Sequence, residues 1–448
     1  MPVKAGTQRL MWLSRFLKDT PPRRSFRWGD SLVKMSIFFD LIYAVIFPFF
    51  AISQMIKGKW HEGMRFRLGA IDDVRPKLSD QPRIWIHAVS VGEVLAVADF
   101  VRQLSQKYPS HQIVCSTVTR TGFHLASANL KDAALVIYAP VDFSRVVRKF
   151  VDVIHPNIYI SAETELWPNL YRCLSSRNIP VVLINGRISD TSFANYRRIK
   201  FLLQPALRCV NVFAMQTQED SRRITALGAR LSKVHVVGNL KFDTVSFAVD
   251  QNPYEHFGKY RVFLAGSTHA GEEDIVLDAF EKMRPRFPDL RLMIAPRHIE
   301  RVTEIIRRIE AGGRRGARLS EFSGEWDERS VLVIDQMGIL RYLYKIAAVV
   351  FIGKTFKAGG GQNMIEPLVF GKPVFVGPLT QNFKDVVDIF LRENVLFRVE
   401  SPEQLAEAMV RVLGDPYSLE RIRRKAPEVI RSHQGAVQKL LEIVKKFL

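Results

Sequence analysis

What most constrains this chain is an alternation of short apolar, β-branched runs with stretches of helical spacing, and it occurs in two series. The first series comprises 84–88, 113–118, 135–139, 158–160, 181–184 and 212–215; the second comprises 262–265, 292–295, 331–334, 349–352 and 374–376. Continuous apolar runs this short suit strands buried on both faces, and strands alternating with helices imply a parallel sheet covered on both sides. Two series therefore imply two doubly wound α/β domains, and 448 residues with 47% hydrophobic content supply enough apolar surface for two cores. Between them, 243–259 carries Asn252-Pro253 and scattered acids and reads as a linker. The expected division is a lead at 1–60, a first domain at 61–244, a linker at 245–259, a second domain at 260–417, and a basic helical tail at 418–448 that docks across the pair.

The lead has its own character. Residues 1–35 contain eight Lys or Arg against Asp19 and Asp30, together with Pro21-Pro22, and read as poorly ordered. Residues 37–56 are apolar and long enough to cross a bilayer, but Asp40 and Pro48 interrupt them. The run lies too far from the start, and lacks the small-residue cleavage pattern, for a signal peptide. Lys57, Lys59, Arg65 and Arg67 follow it, so both flanks are cationic. A segment lying in the cytoplasmic face of a membrane explains the charges as well as a span does.

A formal net charge of +20 calls for an anionic partner. Nucleic acid is disfavoured, because the basic residues are spread along the chain and no zinc spacing, aromatic RNA-binding motif or basic heptad accompanies them. An anionic membrane or a phosphorylated acceptor fits better. Cys115, Cys173 and Cys209 lie far apart, which suggests neither a disulfide framework nor a zinc site and agrees with a reducing cytoplasm. The acidic clusters follow no metal-ligand spacing, and no cofactor is implied.

In open α/β sheets ligands gather at the carboxyl ends of strands, so the residues just after each run carry the functional signal. After 349–352 come Gly353 and three consecutive glycines, Gly359, Gly360 and Gly361, and then a short helical stretch from Met364 to Phe370. Glycines there let backbone N–H groups approach a phosphate, and Glu366 is placed to accept from sugar hydroxyls of a nucleotide. Isolated glycine clusters more often mark plain turns. Ser267 and Thr268 offer hydroxyls after 262–265, Arg297 puts a guanidinium after 292–295, and Met337-Gly338 follows 331–334. In the first domain Glu93 follows 84–88 at a glycine turn; Ser90 and Glu93 also have the spacing of a helix capping box, which remains open as its explanation. Glu163, Glu165 and Trp167 crowd the end of the fourth run. Lys241, near the end of the domain, either faces an anion or is simply solvated.

Taken in order, these residues resemble the 3-deoxy-D-manno-octulosonic acid (Kdo) transferases of lipopolysaccharide synthesis. The likeness runs from about residue 37 to 383, through the apolar leader, His-Ala-x-Ser-x-Gly-Glu (87–93), Glu-Thr-Glu-Leu-Trp-Pro-Asn (163–169), Asn-x-Arg-x-Ser (185–189), Gly-Asn-x-Lys-Phe-Asp (238–243), Ala-Pro-Arg-His (295–298), Met-Gly (337–338) and Gly-Gly-x-Asn-x-x-Glu-Pro (360–367). The resemblance implies a GT-B type glycosyltransferase of two facing domains with a membrane-associated N-terminal segment. It implies CMP-Kdo as donor, the lipid A precursor (lipid IVA) as acceptor, inversion at the transferred sugar, and the cytoplasmic face of the inner membrane. By the same resemblance Glu93 is the proton acceptor, while Glu163 and Lys241 support the transition state. The CMP site comprises Pro296, Arg297, Met337, Gly338, Asn363 and Glu366, with Ser267, Thr268, Ile339, Gly360, Met364 and Ile365 around it. Ile339 stands where the family pattern has an acidic residue. Two other functions fit the residues less well: a lipid-directed transferase using a UDP-sugar, and a non-catalytic lipid or nucleotide binder, which has no use for Glu93, Glu163 and Lys241 in one cleft.

Overall fold

The apolar runs become strands of two parallel sheets in the computed structural model, which describes residues 29–56, 63–130, 133–245, 247, 251–357 and 359–448. The first sheet holds β1 (Arg83–His87), β2 (Gln112–Thr117), β3 (Leu135–Tyr138), β4 (Ile158–Ala162), β5 (Val181–Gly186), β6 (Val212–Met215) and β7 (Val234–Val236), ordered β3-β2-β1-β4-β5-β6-β7. The second holds β8 (Arg261–Thr268), β9 (Leu290–Pro296), β10 (Arg315–Arg318), β11 (Ser330–Val333), β12 (Ala347–Ile352), β13 (Val374–Val376) and β14 (Leu396–Arg398), ordered β10-β11-β9-β8-β12-β13-β14. Both are therefore doubly wound. Strands β7, β10 and β14 were not anticipated, and all three are sheet edges.

Burial on both faces explains why the runs lack polar alternation. Along β1, Ile84 and Ile86 point into one core and Trp85 into the core on the other side of the sheet. The final helix, Ala436–Val444, packs Val437, Leu440 and Leu441 into the first of these two cores. Its start is fixed by Asp243, whose carboxylate accepts from the backbone N–H groups of Gly435 at 2.6 Å and Val437 at 2.8 Å. The tail thus returns to the domain where the chain began.

The apolar segment is one helix, Gly29–Ile56, with Pro48 inside it. The poorly ordered stretch expected at 1–35 lies mostly outside the described residues, and its last seven belong to this helix. Asp40 is no interruption. Its carboxylate accepts from the backbone N–H and the hydroxyl of Ser144, at the start of the helix Ser144–Ile154, and from the Asn169 side chain at 3.0 Å. Phe39 is buried, and Tyr43 and Phe47 pack edge-on to Phe143, so one face of the helix is docked on the first domain. Leu41, Val45, Phe49, Ile52 and Ile56 form an exposed apolar stripe on the other face. Among the described residues this is the one helix long and apolar enough to cross a membrane.

Candidate active site

In each sheet the strand order reverses once, between β1 and β4 in the first and between β8 and β12 in the second. Such reversals open a crevice at the carboxyl ends of the flanking strands. Here the two crevices face each other across a cleft of about 710 Å³, lined from one side by Glu93, Glu163 and Lys241 and from the other by His269, Arg297 and Lys354. The backbone is strained around these reversals. Glu163 and Lys354, just beyond β4 and β12, and Ser267, near the end of β8, are in the left-handed region, with φ of 56°, 62° and 57°. Non-glycine residues adopt it at a cost of about 1–3 kcal/mol and collect at functional sites.

Glu93 lies in the first turn of the helix Val91–Lys107 and is 7% exposed. Its Oε2 accepts from the Val89 N–H at 2.8 Å and its Oε1 from the Ser90 hydroxyl at 2.9 Å. In a capping box Ser90 would accept from the Glu93 amide; here it donates to the carboxylate instead and makes no side-chain cap. Burial pushes the Glu93 carboxyl up to about 8, and the nearby Glu163 charge adds to the effect. The group is thus mostly protonated at neutral pH and close to the midpoint at which a carboxyl trades protons readily.

Lys241 reaches across the cleft. Its Nζ donates to the Asn382 carbonyl at 2.9 Å and lies 4.4 Å from the centre of the Phe383 ring. Burial lowers its proton affinity, and the Glu163 carboxylate opposes that. Asn382 and Phe383 escaped the sequence reading; their position just beyond β13 was the available signal.

On the second domain Arg297 extends β9, its N–H donating to the Thr268 carbonyl at 2.9 Å, and its guanidinium stands exposed at the cleft without an ion pair among the described residues. Asn363 bridges its own loop: Oδ1 accepts from the Ile365 N–H at 3.1 Å, and Nδ2 donates to Glu366 Oε1 at 3.0 Å. Burial raises the Glu366 carboxyl above its ordinary value. His269 and His298, with ring centres 5.6 Å apart, complete this wall.

Several expected donor contacts are placed differently. The N–H of Gly360 donates to the Leu379 carbonyl and to Gln381 Oε1, and the N–H of Gly361 donates to the Lys354 carbonyl, so these amides are spent inside the protein. Gly360 is glycine for another reason: at φ 100° a Cβ would lie 2.6 Å from Asn382 Nδ2. The amide nest after β12 is already filled. Glu272 accepts there from the N–H groups of Lys354, Thr355 and Phe356 at 2.7–2.9 Å, and from that of His269 at 2.9 Å. A carboxylate thus satisfies the amides of 354–356, between β12 and the glycine stretch. The Thr268 hydroxyl is buried and donates to Glu273. Met364 and Ile365 turn their side chains into the core, and Pro296 is buried at the end of β9. Met337, Gly338 and Ile339 lie beyond the residues that line the cleft. Ser267 is half-buried, and its carbonyl packs so closely on Gly353 that a Cβ there would lie 2.4 Å away.

Two doubly wound domains facing each other across a cleft, with a buried acid on one wall and an exposed guanidinium and a half-buried Asn–Glu pair on the other, have the architecture of a GT-B glycosyltransferase. Residues 62–244 match the family model of 3-deoxy-D-manno-octulosonic-acid transferase (kdotransferase). The chain is 33% identical over 371 residues to the 3-deoxy-D-manno-octulosonic acid transferase of Haemophilus influenzae, covering 82% of this chain and 87% of that one. It is 35% identical over 359 residues to a bifunctional glycosyltransferase/methyltransferase of Fusobacterium nucleatum, covering 77% of this chain but spanning only 55% of that relative. The fold is shared with the UDP-GlcNAc 2-epimerase of Neisseria meningitidis, at 13% identity and a TM-score of 0.54 over 81% of this chain and 100% of that one. A glycosyltransferase of Rickettsia africae gives 14% and 0.53, over 82% and 99%. The chain belongs to the Kdo transferase family.

Proposed function

We propose that this chain moves Kdo from CMP-Kdo to a hydroxyl of the lipid A precursor lipid IVA, by a single displacement that inverts the anomeric carbon. The observation that carries this is Glu93, a buried carboxyl on the wall opposite Arg297, Asn363 and Glu366. In its ionised form Glu93 takes the proton of the acceptor hydroxyl as that oxygen bonds to the anomeric carbon. The bond from that carbon to the phosphate oxygen breaks on the far side, and its electron pair leaves with CMP. Arg297 meets the growing phosphate charge, Asn363 and Glu366 hold the nucleoside, and Lys241 and Glu163 balance the charges that develop between them. One base on one face suits one displacement, and hence inversion. A base contributes most when its pKa lies near the working pH, which the buried position of Glu93 supports.

The apolar helix Gly29–Ile56 supports a membrane-bound setting for this chemistry. Because Asp40, Tyr43 and Phe47 bind it to the first domain, the helix lies along the cytoplasmic surface of the inner membrane with its exposed stripe in the lipid, rather than crossing. The test is direct: purified protein with CMP-Kdo and lipid IVA, products read by mass spectrometry and the new anomeric centre by NMR. Kdo-bearing lipid of inverted configuration is expected. Transfer from a UDP-sugar instead, or no lipid product, overturns the proposal.

A further inference from the structure

The helices Ser144–Ile154, Pro168–Ser176 and Lys200–Cys209 lead into β4, β5 and β6, three neighbouring strands taken in one direction. Right-handed crossovers put all three helices on the same face of the sheet, and each begins at the carboxyl end of the strands. The apolar helix sits on the beginnings of the first two, through the Asp40 contacts with Ser144 and Asn169. The beginning of the third is an elbow, where the helix Asp190–Arg198 turns into Lys200–Cys209. The helix Lys200–Cys209 packs beside Pro168–Ser176, at roughly the 8–10 Å spacing of packed helices.

This elbow is built unlike its neighbours. The helix Asp190–Arg198 buries no residue. Ile199 is 41% and Phe201 71% exposed, although both are large and apolar. Around them Arg197 and Arg198 are exposed and Lys200 half-buried, and among the described residues none of the three has a carboxylate partner; Arg197 lies over the Phe193 ring. Exposed apolar tips ringed by unpaired cations match an anionic lipid surface, where the tips enter the acyl boundary and the cations meet phosphates.

We infer that the elbow at 196–201 is a second membrane contact, separate from the apolar helix, and that the two sit at the beginnings of neighbouring helices, Pro168–Ser176 and Lys200–Cys209. Two contacts a helix spacing apart fix the tilt of the first domain on the bilayer. The 163–167 segment, which runs into Pro168 and carries Glu163, then faces the lipid between them, so a glycolipid acceptor enters the cleft there without leaving the surface. The inference rests on the membrane-facing reading of the apolar helix.

The test uses the full-length chain floated with vesicles of phosphatidylcholine, with and without about one third phosphatidylglycerol. The double variant Ile199→Glu/Phe201→Glu is expected to partition at least roughly tenfold less onto the anionic vesicles. Arg197→Gln/Arg198→Gln/Lys200→Gln should lose roughly fivefold per cation on anionic vesicles and little on neutral ones. Tyr417→Glu, at an equally exposed site on the second domain, should behave as wild type. Melting temperatures confirm that each variant is folded, and transfer to acceptor dispersed in detergent should persist in the elbow variants. If wild type floats and the elbow variants float equally well, the elbow is not a contact. A wild-type chain that floats with neither vesicle overturns the apolar helix and the elbow together.

Discussion

Lys241 Nζ donates to the backbone carbonyl of Asn382 at 2.9 Å, so a lysine of the first domain is seated on a loop of the second. That loop also holds the glycine stretch: the Asn382 N–H donates to the Gly360 carbonyl at 3.0 Å. A few residues on, Lys384 pairs with Asp190 at 2.7 Å, and Asp385 faces Arg187 at 3.7 Å. The contacts between the domains and the shape of the donor wall therefore share one segment, 382–385.

For Lys241→Ala the expectation is a loss of about 10²-fold in single-turnover transfer, the scale of removing one electrostatic stabiliser. CMP affinity by calorimetry should change little, because Lys241 belongs to the opposite wall. An equal loss of CMP binding would place Lys241 on the nucleotide instead.

On the donor wall, Arg297→Ala should weaken CMP binding by about 1.5–3 kcal/mol, the value of a charged hydrogen bond. Glu366→Ala should weaken cytidine nucleotides and leave acceptor binding alone. Calorimetry with CMP on both variants checks this, and unchanged affinity in both would move the donor elsewhere.

Glu272 makes a structural prediction. Its carboxylate serves four backbone N–H groups at a fully buried position. Glu272→Ala leaves those donors unsatisfied and should destabilise the protein by about 3–5 kcal/mol in urea unfolding. A variant of wild-type stability would mean that the loop 353–356 is not fixed by this residue.

The two sheets were legible because their central strands are buried on both faces and read as unbroken apolar runs. The missed strands are edges: β10 is Arg-Gly-Ala-Arg, and β7 and β14 have three residues each, too little apolar sequence to register. Glu93, Glu163, Lys241, Arg297, Asn363 and Glu366, which the structure brings to one cleft, stood out in the sequence because Glu163 and Arg297 follow strands directly and all six sit in distinctive strings. The filling of the amide nest was not, since Glu272 and Lys354 are 82 residues apart and only the β8–β12 pairing brings them together. Asp40 misled for the same reason: a charge inside an apolar run looks like a break until its partner at Ser144 is known.

Protonation gives a further prediction. The folded pKa of Glu93, about 8, lies above its ordinary 4.5. Between those values the folded chain keeps a proton that the unfolded chain has released, so this group's contribution to stability declines as pH rises through the interval and is lost above about 8. Glu93→Gln should flatten that decline in urea unfolding followed from pH 5 to 9. For wild type, kcat/KM should rise with pH toward a plateau above the same value, because only the carboxylate accepts a proton.

The central claim is that Glu93 is a base and not a helix cap, and one comparison tests it most directly: thermal melting and single-turnover Kdo transfer, measured on the same preparation of Glu93→Gln. Glutamine keeps the shape of the side chain and can still accept from the Val89 N–H. The account predicts melting close to wild type, intact CMP binding, and transfer reduced by about 10²-fold or more. Near-normal transfer by a well-folded Gln variant would contradict it.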